Sequence, residues 1–233
     1  MDKTQRGRGA IVLLARLDSR RLPGKQLLDL GNGQCALDLA IERLKRSRHG
    51  LPLILATTDR EIDSPLSGIA DKHGIPLFRG DLDNVAKRCL DCMDAHRLDW
   101  FVRICADSPL VDPEVVDEVI NVFLETGCDL ATNVFPRTFP LGTSAEIISH
   151  TAMRRICEET ADLSLLEHVT LFAYQNAASF DIRNLPNSGK PPNADIRLVV
   201  DTPEDLQRVK QVISSLDAPV TASLDEILDK LNR

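Results

Sequence analysis

Residues 15–25 read Ala-Arg-Leu-Asp-Ser-Arg-Arg-Leu-Pro-Gly-Lys and follow directly on an apolar run at 10–14. Arg16, Arg20 and Arg21 supply three guanidinium groups and Lys25 an ammonium, just past a predicted strand, where open α/β sheets bind their ligands. Arg presents a planar fork to phosphate oxygens and Lys a compact charge. Pro23-Gly24 fixes a sharp bend and lets backbone N–H groups approach an anion closely. The chemistry this spacing suits is the gripping of a polyphosphate. A solvated basic loop is the plainer alternative, and Ser19 together with the Pro-Gly turn weighs against it.

Two carboxylates stand at equivalent places. Asp107 follows the apolar run at 100–104, and Asp201 follows a predicted strand at 197–200. Both are therefore expected at the sheet edge that carries the basic loop, where Mg²⁺ takes one or two carboxylates together with phosphate oxygens and water. Each has an alternative use as a helix N-cap, Asp201 before Thr202-Pro203 above all, and the sequence leaves that choice open.

Other nucleotide and hydrolase signatures are absent. Gly24-Lys25 is followed by Gln26 and lacks an upstream spaced glycine, so it is no P-loop, and Gly31-Asn32-Gly33 does not join a strand to a helix. His168 follows Glu167 with no second His four residues on, and no Gly-x-Ser-x-Gly elbow exists. His49, His73, His96 and His150 read as surface or cap residues. Cys89 and Cys92 have metal-ligand spacing but no neighbouring pair, so they read as thiols sharing one helix face.

The elements that must position these groups follow from hydrophobic periodicity. Strands are predicted at 10–14, 53–57, 77–78, 100–104 and 130–132, alternating with helices at 36–46, 64–73, 85–96 and 113–125. Ser64-Pro65 and Asp112-Pro113 place a capping side chain before a first-turn proline, and Gly74 and Gly127 stand at C-terminal positions. After a turn-rich stretch at 135–142, strands are expected at 145–148, 179–183 and 197–200, and helices at 151–159 and 165–174. A mobile loop is expected at 186–193, and helices open at Thr202-Pro203 and at the Ser223-Leu224-Asp225-Glu226 capping box. The pattern predicts an α/β protein with a mostly parallel sheet and helices on both faces.

Composition sets bounds on function. The 233 residues suffice for one cored domain, and no apolar run approaches the length of a membrane span. A net charge of −7 with one Trp and one Tyr argues against nucleic acid as a partner. Residues 1–9 carry Lys3, Arg6 and Arg8 without an apolar segment, which predicts a disordered tail rather than a signal peptide. Six cysteines in a chain of this kind fit reduced thiols, and the expected compartment is the cytoplasm.

Taken together, several segments resemble one family. They are the Ala-Arg-x-x-Ser-x-Arg-Leu-Pro-Gly-Lys of residues 15–25, the Arg-x-x-x-Asp-x-Pro-Leu of 103–110, and the Arg-Thr-Phe-Pro of 137–140. Glu-His-Val at 167–169 and Val-Asp-Thr-Pro-Glu-Asp-Leu at 200–206 complete the set, in order along the chain. They resemble the cytidylyltransferases, which include the enzymes activating acylneuraminate and 3-deoxy-manno-octulosonate, and most closely the branch named after a spore coat polysaccharide biosynthesis protein.

The resemblance implies a Rossmann-like nucleotide-diphospho-sugar transferase fold in a single domain over 10–233. It also implies transfer of CMP from CTP to an acidic sugar with release of pyrophosphate. Ala15, Arg16, Ser19, Arg21, Lys25 and Arg103 become the nucleotide-binding set, with Lys25, Arg16, Arg21 and Asp107 catalytic. Asp107 and Asp201 become ligands of Mg²⁺, and Arg137, Glu146 and His168 line the sugar pocket. Family members are commonly homodimers, with the excursion at about 134–195 expected to supply the contact.

Ala106 stands where relatives usually carry Gly, a substitution that is accommodated where φ is negative. Relatives often carry further acids at the positions of Leu141 and Ser144. The alternatives to this family are a nucleotide-sugar-dependent glycosyltransferase and a catalytically silent nucleotide-binding partner protein. The first requires an Asp-x-Asp metal motif at a strand end, but Asp81-Leu82-Asp83 reads more simply as a helix cap. The second predicts loss of Arg21, Lys25, Asp107 or Asp201, all of which are present.

Overall fold

The computed structural model describes residues 7–187 and 193–231. Seven strands form one sheet: β1 (Gly9–Leu14), β2 (Leu53–Thr58), β3 (Leu77–Gly80), β4 (Trp100–Cys105), β5 (Leu130–Thr132), β6 (Glu146–Ser149) and β7 (Ile182–Asn184). Their order is β3-β2-β1-β4-β6-β5-β7. β1 pairs in parallel with β2 and β4, and β5 with β7, while β6 runs antiparallel to both β4 and β5. The fold is thus a mostly parallel mixed sheet of the Rossmann-like kind, as expected.

Nine α-helices pack around it: α1 (Ala36–Leu44), α2 (Leu66–His73), α3 (Val85–His96), α4 (Pro113–Thr126), α5 (His150–Glu159), α6 (Leu163–Leu166), α7 (Leu171–Gln175), α8 (Pro203–Ser214) and α9 (Leu224–Leu231), counting the described residues. Strand alternation divides the core. Ile11, Leu13, Leu55 and Val102 face α1, α2 and α4, and Val12, Ile54, Phe101 and Ile148 face α3 and α5. Central strands buried on both faces explain why the sequence shows continuous apolar runs there. A third cluster joins Leu198 and Val200 to α8 and α9 through Val209, Ile213 and Ile227.

Several caps match the sequence. Asp112 accepts the N–H groups of Glu114 at 2.8 Å and Val115 at 3.2 Å with Pro113 in the first turn, and Gly127 closes α4 at φ 70. Thr202 caps α8, and Ser223 with Glu226 forms the capping box of α9.

Other expectations are corrected. β1 begins at Gly9, and Arg8 donates its N–H to the Asp99 carboxylate and accepts the Asp99 N–H on its carbonyl, so residues 7–9 belong to the fold; residues 1–6 lie outside the described residues. α2 starts at Leu66 with Pro65 in the cap position, because residues Glu61–Asp63 already form a 3-10 turn, and Ser64 does not cap it. Asn84 caps α3, whereas Asp81 serves the turn before it by accepting the N–H groups of Asp83 and Asn84.

The helix expected at 165–174 is split into α6 and α7 by Val169, which is buried at φ 53. The strand expected at 179–183 is shifted, with a 3-10 turn at Ala177–Ser179 and β7 at Ile182–Asn184. The segment 197–200 is not a sheet strand, and the chain bends at Val199. It makes one bridge, Leu141 to Arg197, and its remaining backbone bonds go to loops. Gly142, at φ 102, makes this contact: a Cβ there would lie 2.6 Å from the carbonyl carbon of Leu198. Most of the loop expected to be mobile, 188–192, lies outside the described residues.

All six cysteines are free. Cys89 and Cys92 are buried on α3, and burial pushes each thiol up to about 12, so both stay protonated. Among the described residues, no helix is long and apolar enough to cross a membrane.

Candidate active site

β1 and β4 lie side by side with Leu14 opposite Cys105, so the segments that leave them emerge together at one sheet edge. Ala15 continues the β1 ladder by donating to Ala56 O at 3.1 Å, and Ala106 N–H reaches Leu14 O at 3.0 Å. Val200 N–H binds the carbonyl of Asp107 at 2.8 Å, which brings the segment before α8 to the same place.

The basic loop closes on itself. Gly24 N–H donates to Leu17 O at 2.7 Å, and Gly24 adopts φ 67, a left-handed turn that a Cβ would strain. The 3-10 turn that follows, Lys25–Leu27, aims Lys25 inward. The Lys25 ammonium lies 2.6 Å from Asp107 Oδ2 and 2.9 Å from Asp201 Oδ1, and Arg21 reaches Asp201 Oδ2 at 2.5 Å. Burial alone would depress the Lys25 pKa, but the two carboxylates outweigh it and hold the group above its ordinary value.

The cluster has the donor set for a hard divalent cation. Two carboxylates face one point, and a positive group already sits between them. No third His, Cys, Asp or Glu joins them among the described residues, which suits an ion completed by phosphate and water. Ala106 is buried; Arg97 and Val169 are the non-glycine residues with positive φ among the described residues, so Ala106 meets the condition for replacing glycine.

A second cluster sits beside it at the start of β6. Arg103 on β4 pairs with Glu146, its cross-strand neighbour, in a short ion pair. Glu146 also accepts the Thr170 hydroxyl at 2.8 Å and the Tyr174 hydroxyl at 2.5 Å. Burial and the Glu146 charge push the Tyr174 hydroxyl well above its usual range, and Phe135 stacks on the Tyr174 ring at 4.5 Å. Arg137 is half-buried nearby, hydrogen-bonded to neutral groups, Ser144 Oγ at 3.1 Å and Pro140 O at 3.4 Å. Burial lowers its pKa, with Glu146 and Tyr174 acting in the opposite sense.

The sequence-predicted residues thus fall into distinct groups. Arg21, Lys25, Asp107 and Asp201 form one constellation. Arg16 points elsewhere, pairing with Glu167 at 3.0 Å, and Ser19 accepts the N–H of Leu22 within the loop. Arg103 and Glu146 engage each other, with Arg137 close by, and His168 is exposed on the turn beside Glu167. Glu167, Thr170 and Tyr174 were not among the expected site residues. They fall in a stretch whose periodicity reads as one helix, and only the break at Val169 turns them towards Arg16 and Glu146.

The chain matches the cytidylyltransferase family over residues 10–229. It is 29% identical to the spore coat polysaccharide biosynthesis protein SpsF of Bacillus subtilis, covering 95% of this chain and 93% of that protein. A 3-deoxy-manno-octulosonate cytidylyltransferase of Chloroherpeton thalassium is 24% identical, covering 94% and 95%. Among solved structures, a cytidylyltransferase from Leptospira borgpetersenii superposes with a TM-score of 0.89 at 29% identity, covering 97% of this chain and 92% of that one.

Proposed function

This chain belongs to the cytidylyltransferase family, and we propose that it transfers CMP from CTP to an acidic sugar of the nonulosonic or octulosonic type, releasing pyrophosphate, for surface polysaccharide or glycan synthesis. It is a nucleotidyltransferase. The observation that carries the proposal is the convergence of Lys25, Arg21, Asp107 and Asp201 at the end of β1 and β4.

In the reaction an acceptor oxygen bonds to the α-phosphorus in line as the bond to the bridging oxygen of the β-phosphate breaks, so pyrophosphate leaves with the electron pair. Lys25 and Arg21 can turn from the aspartates to the triphosphate and cancel charge on the leaving group. Arg16 adds a third cation when it exchanges Glu167 for phosphate. Asp107 and Asp201 would hold Mg²⁺, which when bound neutralises phosphate charge and aligns the reacting oxygens. Arg137 is the group suited to an acceptor carboxylate, since its present partners are neutral, and Glu146 with Tyr174 keeps that wall in place. His168, exposed on the turn beside Glu167, is the remaining residue we assign to the sugar side.

The excursion at about 134–195 is the segment we assign to a homodimer contact. Six free thiols favour the cytoplasm.

The test is pyrophosphate release from CTP, ATP, GTP and UTP with Mg²⁺ and a panel of acidic nonulosonic and octulosonic sugars, against no-metal and no-sugar controls. Turnover that requires CTP, metal and one sugar is expected. Turnover with another nucleotide, or with a neutral sugar only, would overturn the assignment.

A further inference from the structure

The turn after β2 carries a second, unassigned set of contacts to the basic loop. Asp63 is fully buried, and its Oδ1 accepts the Leu17 N–H at 2.6 Å. Its Oδ2 takes the Thr58 hydroxyl in a short bond and the Arg60 guanidinium at 3.1 Å. Arg60 extends the other way to Asp18 Oδ2 at 2.6 Å. Asp18 is the single acid among residues 15–25. Its Oδ1 is shielded from solvent without a hydrogen-bond partner, 3.7 Å from Arg16 Nε.

We propose that Arg60 and Asp63 are positioning residues for nucleotide binding: Asp63 pins the loop backbone at Leu17, and Arg60 neutralises Asp18 so that its charge does not oppose the triphosphate. The inference rests on the proposed function for the identity of the anion. A loop built to hold a polyphosphate gains nothing from a bare carboxylate among its cations, because like charges at these distances repel strongly where solvent is partly excluded. The fold supplies the remedy from β2 rather than from the loop itself. Arg16 Nε already lies 3.7 Å from Asp18 Oδ1; with Arg60 holding Oδ2 that contact stays long and Arg16 can turn from it and from Glu167 to phosphate, whereas without Arg60 the Asp18 charge would hold Arg16 more closely.

The experiment is calorimetric binding of CTP, and separately of inorganic tripolyphosphate, to the wild type, Arg60→Gln, Asp18→Asn and the double variant, with thermal unfolding of each. Arg60→Gln should bind CTP about tenfold more weakly, the double variant within about twofold of wild type, and Asp18→Asn at least as tightly as wild type, because Arg60 is shared between Asp18 and Asp63. Rescue by removing a charge is a result that a merely structural arginine does not give. A double variant as weak as Arg60→Gln overturns the inference. Should Arg60→Gln fail to fold, a several-fold loss of affinity in Asp18→Asn alone overturns it, since that would mean the Asp18 carboxylate supports the anion site rather than opposing it. A wild type that binds tripolyphosphate but not CTP overturns the proposed function, leaving the clamp to be judged on tripolyphosphate; one that binds neither overturns both.

Discussion

The ammonium of Lys25 lies 2.9 Å from the carboxylate of Asp201, a residue 176 positions away in the chain. On the proposed reaction Asp201 and Asp107 hold the divalent cation, so lysine and metal would compete for one place. Lys25→Ala should increase the affinity for Mn²⁺ in the absence of nucleotide, measured by electron paramagnetic resonance of the free ion. An unchanged or reduced Mn²⁺ affinity would show that the lysine does not guard the carboxylates.

The same substitution should act in the opposite sense on nucleotides. Loss of a charge-assisted contact with the outer phosphates should weaken CTP binding about tenfold or more while leaving CMP nearly unaffected. Titration of both ligands into Lys25→Ala checks this, and equal losses would place Lys25 away from the β- and γ-phosphates.

Asp107→Asn and Asp201→Asn should each lower metal-dependent turnover by about a hundredfold or more with little change in the far-ultraviolet circular dichroism. Full activity in either variant would remove that aspartate from the metal site.

Glu146 is a buried acceptor for Arg103, Thr170 and Tyr174 at once. Glu146→Ala leaves a guanidinium without its counter-charge inside the fold and should destabilise the protein by about 3 kcal/mol, read from chemical denaturation. A change below about 1 kcal/mol would mean that the cluster is solvated.

Acid should unfold the chain through identifiable carboxylates. Burial tends to raise the Asp38 pKa, but hydrogen bonds from His73 and Lys72 outweigh it and hold it at about 2. Arg197 holds Asp205 at about 2 against its own burial. Both folded values lie below the ordinary carboxylate value, so their contribution is complete above about pH 4 and is lost as pH falls towards 2. Asp38→Asn should flatten the dependence of the unfolding midpoint on pH across that interval; an unchanged slope would refute the assignment.

Much of this was legible in the residues. α3 matches its expected bounds on its apolar stripe alone: its cap is Asn84 rather than Asp81–Asp83, and it stops at Arg97 in the left-handed region, an ending that the residue type does not announce. Lys25 and Asp107 were legible because β1 and β4 send the segments that follow them to one edge, whereas Asp201 reaches the same place without a strand, through the bond from Val200 N–H to the Asp107 carbonyl. The segment at 197–200 was misjudged because its apolar alternation is satisfied by a loop at Leu141 and by α8, and periodicity does not distinguish a loop partner from a strand. The split at Val169 was invisible because both halves keep a helical pattern, and the turn is held by distant partners of Glu167 and Thr170. Asp63 and Arg60 lie in a polar stretch that looks like ordinary surface until β2 places them behind Leu17.

The reversal of β6 has a consequence for how such a protein can diversify. Thr132 and Glu146 are paired across β5 and β6, so the chain between them leaves the sheet and rejoins it at a single rung. Nothing in the ladder counts the residues of that detour. Insertions and deletions ahead of the Leu141–Arg197 bridge, which holds the segment leading to Asp201, can remodel the wall around Arg137 while β1, β4 and the Lys25 cluster keep their register, so on the proposed reaction acceptor choice can change as an exchangeable cassette while the donor chemistry is kept.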